Sequence, residues 1–182
     1  DAVEGTGQRL QGDPVGKDPR SYRRSQDATV GQDGAAPTML YEGAANLEKF
    51  PFLDDTQAAS AYVAHKASGR SDQDVMVIGV GGGVDVLVAL ANGAKHVTAV
   101  ELNTAMIEMV TERYDDYLGG LFTTSPLADR IDLVNSEGRA WLRSGRPLSS
   151  VVCLYVCRVS FFVLFVVFVC ACCVCVCLFV CL

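Results

Sequence analysis

Residues 74–101 limit the fold more than any other stretch of the chain. Val75, Met76, Val77 and Ile78 form an unbroken apolar run, as a parallel strand buried on both faces requires. The loop Gly79-Val80-Gly81-Gly82-Gly83 follows at once, and a helix is predicted from Val84 or Asp85 through Leu87, Leu90 and Ala91. Asn92-Gly93 ends that helix, since glycine accepts the left-handed cap geometry. Val97 to Val100 reads as a second strand, with Glu101 at its C-terminal end.

The pattern repeats downstream. Asn103 or Thr104 can cap a helix that uses Met106, Ile107, Val110 and Tyr114 on one face, and Gly119-Gly120 stops it. Ile131 to Val134 is a third strand, and Gly138 to Arg143 a third helix, ended by Gly145 and Pro147. This β-α-β-α-β-α order predicts an α/β fold, a Rossmann-like parallel sheet that stops after the third strand and helix. Upstream, residues 1–36 are rich in Gly, Gln, Asp and Ser without apolar periodicity, and read as disordered or loosely attached. Met39 to Tyr41 suits a short strand, and Leu47, Phe50, Phe52 and Leu53 are apolar enough to pack. A helix is predicted over 56–67, with Ala59, Tyr62, Val63 and Lys66 on one face. The expected domain is 37–147, followed by a separate tail over 148–182.

Gly79, Gly81 and Gly83 carry the chemical signal because they lie between a strand and a helix. Bare glycines permit a tight turn and close approach of a ligand, and the helix N-terminus offers N–H donors. Their ordinary alternative is a turn that merely lets helix pack on strand. Glu101 lies 18 residues after Gly83, where a carboxylate can accept both hydroxyls of a ribose. A dinucleotide fingerprint would need glycine where Val84 stands, and no phosphate-loop G-x-x-x-x-G-K-[ST] is present. Glu137 occupies the corresponding place after the third strand, where it either reaches a ligand or caps the next helix. Asp85 has the same two readings. His96 is expected at the surface, and Trp141 on a helix face packed against the sheet. The body holds no cysteine beside His65 and His96, so no zinc cluster or Cys–His dyad is expected there.

The segment VMVIGVGGGVDVLVALANGAKHVTAVELN (75–103), the helix containing YDDYLGGLF, and IDLVNSEGRAWLR resemble the spermidine synthase-like branch of the class I S-adenosylmethionine-dependent methyltransferase superfamily. DGAAPTMLYEGAANLEKFPFL resembles the short β region preceding the domain in that group, and the likeness covers residues 33–144. It implies a small-molecule nucleoside ligand, S-adenosylmethionine or its decarboxylated form. It also implies that Gly79, Gly81 and Gly83 line the methionine and ribose, that Glu101 takes the ribose hydroxyls, and that Glu137 sits near adenine. Val84 replaces an arginine frequent in the closest group, and Ser136 stands where glycine or aspartate is usual. After Arg146 the likeness stops, and the family's aspartate loop for the acceptor amine has no counterpart. Catalytic residues are therefore unassigned. The expected function is a transferase of aminopropyl or methyl groups, inactive in this form. The rival is a non-catalytic, membrane-attached nucleotide-binding module.

All eight cysteines fall after residue 152, among Val, Phe and Leu. Val159 to Leu182 contains 24 residues without a charge, enough for a bilayer-spanning helix, which needs ~20. Cys-Val repeats are also what a thymine–guanine dinucleotide repeat encodes, so a shifted reading frame is the other explanation of the tail. Adjacent Cys172-Cys173 and the lack of turn residues argue against a disulfide or zinc framework. The body is expected in the cytoplasm, membrane-attached if the tail is genuine. With 15 basic against 21 acidic side chains, net −6, no nucleic-acid partner is expected.

Overall fold

The computed structural model describes residues 2–5, 28–32, 36–56, 58–67, 73–144, 151–158, 161–170 and 173–180, the first strand and the last three by backbone alone. An antiparallel sheet comes first. It holds β1 (Ala2–Gly5), β2 (Ala28–Gln32) and β3 (Ala36–Leu40), in that order. Residues 1–36, expected to be disordered or loosely attached, contribute β1 and β2 to this sheet. The reason is that these strands are held by backbone pairing, which carries no apolar periodicity to read, with Val30 of β2 buried in the core. Tyr41, Phe50 and Phe52 then form a tilted aromatic cluster with ring centroids 5.5–6.2 Å apart. Phe50 and Leu53 are fully buried. In α1 (Ala59–Ala67), Tyr62 is buried, but Val63 is 60% exposed rather than on the packed face.

The second sheet builds the site. β4 (Asp74–Ile78), β5 (His96–Glu101) and β6 (Ile131–Asn135) are parallel, with Val75 opposite Val97 and Val97 opposite Ile131. Helix α2 (Val84–Ala91) joins β4 to β5 and buries every residue from Val86 to Leu90. Its side chains contribute roughly 1.5–3 kcal/mol each on burial, and Leu87→Ala would forfeit about 2–5 kcal/mol. Between β5 and β6, α3 (Thr104–Glu108) passes through a π-helical turn, Met109–Arg113, into α4 (Asp115–Leu118). Strand alternation splits the core. Val75, Val77, Val97 and Ala99 face α2 and the large cluster, while Met76 and Val100 face Trp141 and Leu142 of α5 (Gly138–Arg143). Both faces of the sheet are therefore covered, as parallel strands demand.

The sheet does not end with β6. β7 (Val151–Arg158) pairs parallel with the free side of β4, Val75 opposite Val151 and Ile78 opposite Leu154. β8 (Phe161–Cys170) and β9 (Cys173–Val180) follow antiparallel, giving the order β6-β5-β4-β7-β8-β9. The tail is thus not the helix its length suggested, and no helix among the described residues is long and apolar enough to cross a membrane. Its Val, Phe and Cys favour strands, and a continuous apolar run does not by itself separate a buried strand from a helix. The order makes β4 and β7 the place where the chain turns back across the sheet. In open α/β sheets that crevice, at the carboxyl ends of the strands, is where ligands bind.

Candidate functional site

The loop after β4 opens onto this crevice and is held from two directions. Gly79 N–H donates to the Val100 carbonyl at 2.9 Å, tying the loop to β5. Gly81 N–H donates to Glu101 Oε2 at 3.1 Å, and Asn103 N–H to Glu101 Oε1 at 2.8 Å. Glu101 is buried and joins the loop to the start of α3. Gly82 N–H donates to Thr38 Oγ1 at 2.8 Å, so β3 crosses directly over the loop.

The glycines are explained by this crossing. Gly81 has φ +52°, and a Cβ there would lie 2.8 Å from Thr38 Oγ1. A Cβ on Gly82 would run into the Met39 carbonyl. Gly83 caps α2 with φ +91°, and a Cβ would lie 2.9 Å from Phe122 Cζ. At Gly81 and Gly83, then, the missing side chains make room for β3 and Phe122. This is the ordinary packing reason for a bare loop, and it holds alongside any ligand reading.

The neighbouring strand end is built differently. Asn135 ends β6 opposite Glu101. Its amide donates to the Glu101 carbonyl at 3.0 Å and the Leu102 carbonyl at 3.2 Å, while Thr104 donates to its Oδ1 at 3.2 Å. Glu137 turns away to its own helix, accepting from Arg139 N–H at 3.1 Å and Ala140 N–H at 2.9 Å. Those amide bonds hold its carboxyl below the usual range, with a smaller contribution from the Arg139 side chain. Of the two readings for Glu137, the structure shows the helix cap. Asp85 lies in the first turn of α2, and burial pushes its carboxyl up to about 6. His96 Nε2 lies 3.4 Å from Asp132 Oδ2 at the surface, as the sequence suggested. The side chain of His65 falls outside the described residues, as do those of the eight cysteines. Among the described residues, no group of three or more His, Cys, Asp or Glu is placed to hold a metal.

The structure therefore brings Gly79, Gly81 and Glu101 together, places Gly83 at the helix cap, and sets Glu137 apart from them. Sequence reasoning missed Thr38 and Asn135. An Asn closing a strand and a Thr inside one carry no local signal of the contacts they make.

The arrangement discriminates among ligands. In a phosphate cradle, successive loop N–H groups point at the anion. Here the Gly81 and Gly82 amides are already bonded to Glu101 and Thr38, and a carboxylate stands at the loop. Each oxygen of Glu101 accepts one amide and keeps further acceptor capacity. The residues present fit a hydroxyl donor, and do not fit a pyrophosphate.

The chain matches no protein-family model and no curated protein. Among solved structures it is similar to a proposed RNA methyltransferase from Pyrococcus horikoshii, at 18% identity and TM-score 0.36, covering 54% of this chain and 42% of that one. It is similar to a spermidine synthase from Thermotoga maritima, at 17% identity and TM-score 0.47, covering 73% and 41%. A spermidine synthase in complex with the transition-state analogue AdoDATO gives 15% identity and TM-score 0.45, with 73% and 41% covered. The chain thus spans about two fifths of the length of each of these structures. By its own strand order, helix placement and loop position, the chain carries a Rossmann-like α/β domain whose glycine loop and Glu101 meet at the switch point of the sheet.

Proposed function

We propose that this chain binds an adenosyl nucleoside, S-adenosylmethionine or its decarboxylated form, as the cofactor-binding part of a methyl- or aminopropyl-transferase. The observation that carries the reading is Glu101, a buried carboxylate bonded to the loop and to α3, with acceptor capacity left for vicinal hydroxyls. The sequence resemblance of residues 75–103 supplies the choice of transferase chemistry. When bound, the sulfonium of such a cofactor supplies the activated alkyl group. The residues of this chain hold and orient the nucleoside: Gly79, Gly81 and Gly83 shape the loop, and Glu101 would receive the ribose hydroxyls. Glu137 would border the adenine side only through the helix start that it caps.

Transfer itself needs a group to orient and deprotonate the acceptor. Residues 147–182 contain no Asp, Glu or His, so β7 brings no carboxylate to the crevice. The chain in this form is therefore expected to bind without turnover. Isothermal titration of the full chain tests the reading. S-adenosylmethionine or its decarboxylated form should bind, and NAD should not. Failure of both nucleosides, or tight binding of NAD, would sink it.

A further inference from the structure

We infer that Thr38 is a positioning residue of this site, acting from β3 through the glycine loop on the carboxylate of Glu101; the inference rests on the nucleoside reading above. Thr38 Oγ1 accepts from Gly82 N–H at 2.8 Å, and the preceding amide, Gly81 N–H, donates to Glu101 Oε2 at 3.1 Å. Adjacent peptide planes share one Cα, and only two dihedrals relate them. Once Thr38 holds the Gly82 amide, the direction of the Gly81 amide is set by the backbone angles of Gly81 alone. Glycine is the residue least able to keep those angles without help, since it has no side chain to exclude alternatives. The restraint must come from outside the loop, and Thr38 supplies it.

The anchor is itself rigid. Thr38 pairs with Val30 across β2 and β3, and Val30 is buried in the large core cluster. The hydroxyl also rests on the bare face of Gly81, where a Cβ would lie 2.8 Å away. One side chain therefore fixes two successive loop residues. Removing the hydroxyl leaves the Gly82 amide without its acceptor, frees the Gly81 plane, and loosens the Glu101 oxygen that would face the ribose. The loss should fall on the contact with ribose hydroxyls rather than on the whole ligand.

The test uses the full chain, two conservative variants and two probes, adenosine and 2′,3′-dideoxyadenosine. Thr38→Val removes the acceptor, and Thr38→Ser keeps it. Thr38→Val should bind adenosine about fivefold more weakly, as expected for one neutral hydrogen bond. It should bind dideoxyadenosine as the parent does, and Thr38→Ser should stay within about twofold for both. Hydrogen exchange should accelerate at Gly82 in Thr38→Val only. Equal weakening of both probes would reduce Thr38 to a structural role and overturn the inference, as would unchanged adenosine binding. If the parent chain binds neither probe, the nucleoside reading itself has failed. That result is distinct from the case in which the parent binds adenosine and Thr38→Val binds it equally well.

Discussion

β5 and β6 end side by side, β5 in the acid Glu101 and β6 two residues before the acid Glu137, yet the two ends are built for different work. Glu101 is buried and bonds amides from two separate segments, one of them 20 residues away. Glu137 is exposed and bonds only groups two and three residues ahead of it among the described residues, two backbone amides and the Arg139 side chain. A carboxylate at a strand end thus has no fixed role. Bonds to distant segments assemble a crevice, while bonds to the next turn start a helix.

The sharpest way to break this contrast is through the loop rather than the acids. Gly82→Val would push a side chain into the Met39 carbonyl, and should cost about 3 kcal/mol in urea unfolding. Parent-like stability would mean that β3 is not seated on the loop. Glu101→Gln comes next. It replaces charge-assisted acceptors with one neutral acceptor and one donor facing an amide, and should cost about 2 kcal/mol in the same measurement. A cost no greater than that of Glu137→Gln would erase the difference between the two strand ends.

Asp85 adds a third carboxyl with the opposite sign of pH dependence from Glu137. Its folded pKa, about 6, lies above the ordinary 3.8, so the native state holds more protons through that window. Stability from this group is present at low pH and falls as pH rises from about 4 to about 6. Asp85→Asn should flatten that slope and gain up to about 2 kcal/mol relative to the parent at neutral pH. An unchanged slope across the window would show that the carboxyl reaches water. The smallest effect belongs to Glu137. Its folded pKa is lowered, so its contribution is present above the ordinary carboxylate range and is lost as pH falls through the lowered value. The gap in melting temperature between parent and Glu137→Ala should therefore shrink on acidification. A gap that widens would contradict the helix-cap role.

What could be read from sequence follows the same division between local and distant. The run Val75–Ile78, the α2 start at Val84, its stop at Asn92-Gly93 and the stop at Gly119-Gly120 were all legible, because each depends on neighbours in the chain. Glu101 was legible by position, though its two amide partners were not. The π turn was invisible. Tyr114 N–H bonds back five residues to Met109 at 2.8 Å, and the widened turn buries Met109 beside Val110, outside the face that a regular helix predicted. Val63 misled through its apolar character, since helical spacing alone does not say which stripe is covered. The pairing of β7 with β4 escaped because its apolar run satisfies helix and strand patterns equally. Thr38 escaped because its partner lies 44 residues on.

That separation also sets a schedule for biosynthesis. Ribosomes extend chains at about 5–20 residues per second, so Thr38 precedes Gly82 by roughly 2–9 s. Through that interval β3 pairs with β2 while the aromatic cluster, α1 and β4 are being made behind it. The loop then waits for a further 20 residues before Glu101 exists to receive the Gly81 amide. Closing these two spans carries an entropic cost before either bond gives a return. The loop therefore takes its final set only once the chain has grown from Thr38 to Glu101, and β6 and β7, which flank it in the sheet, are made later still.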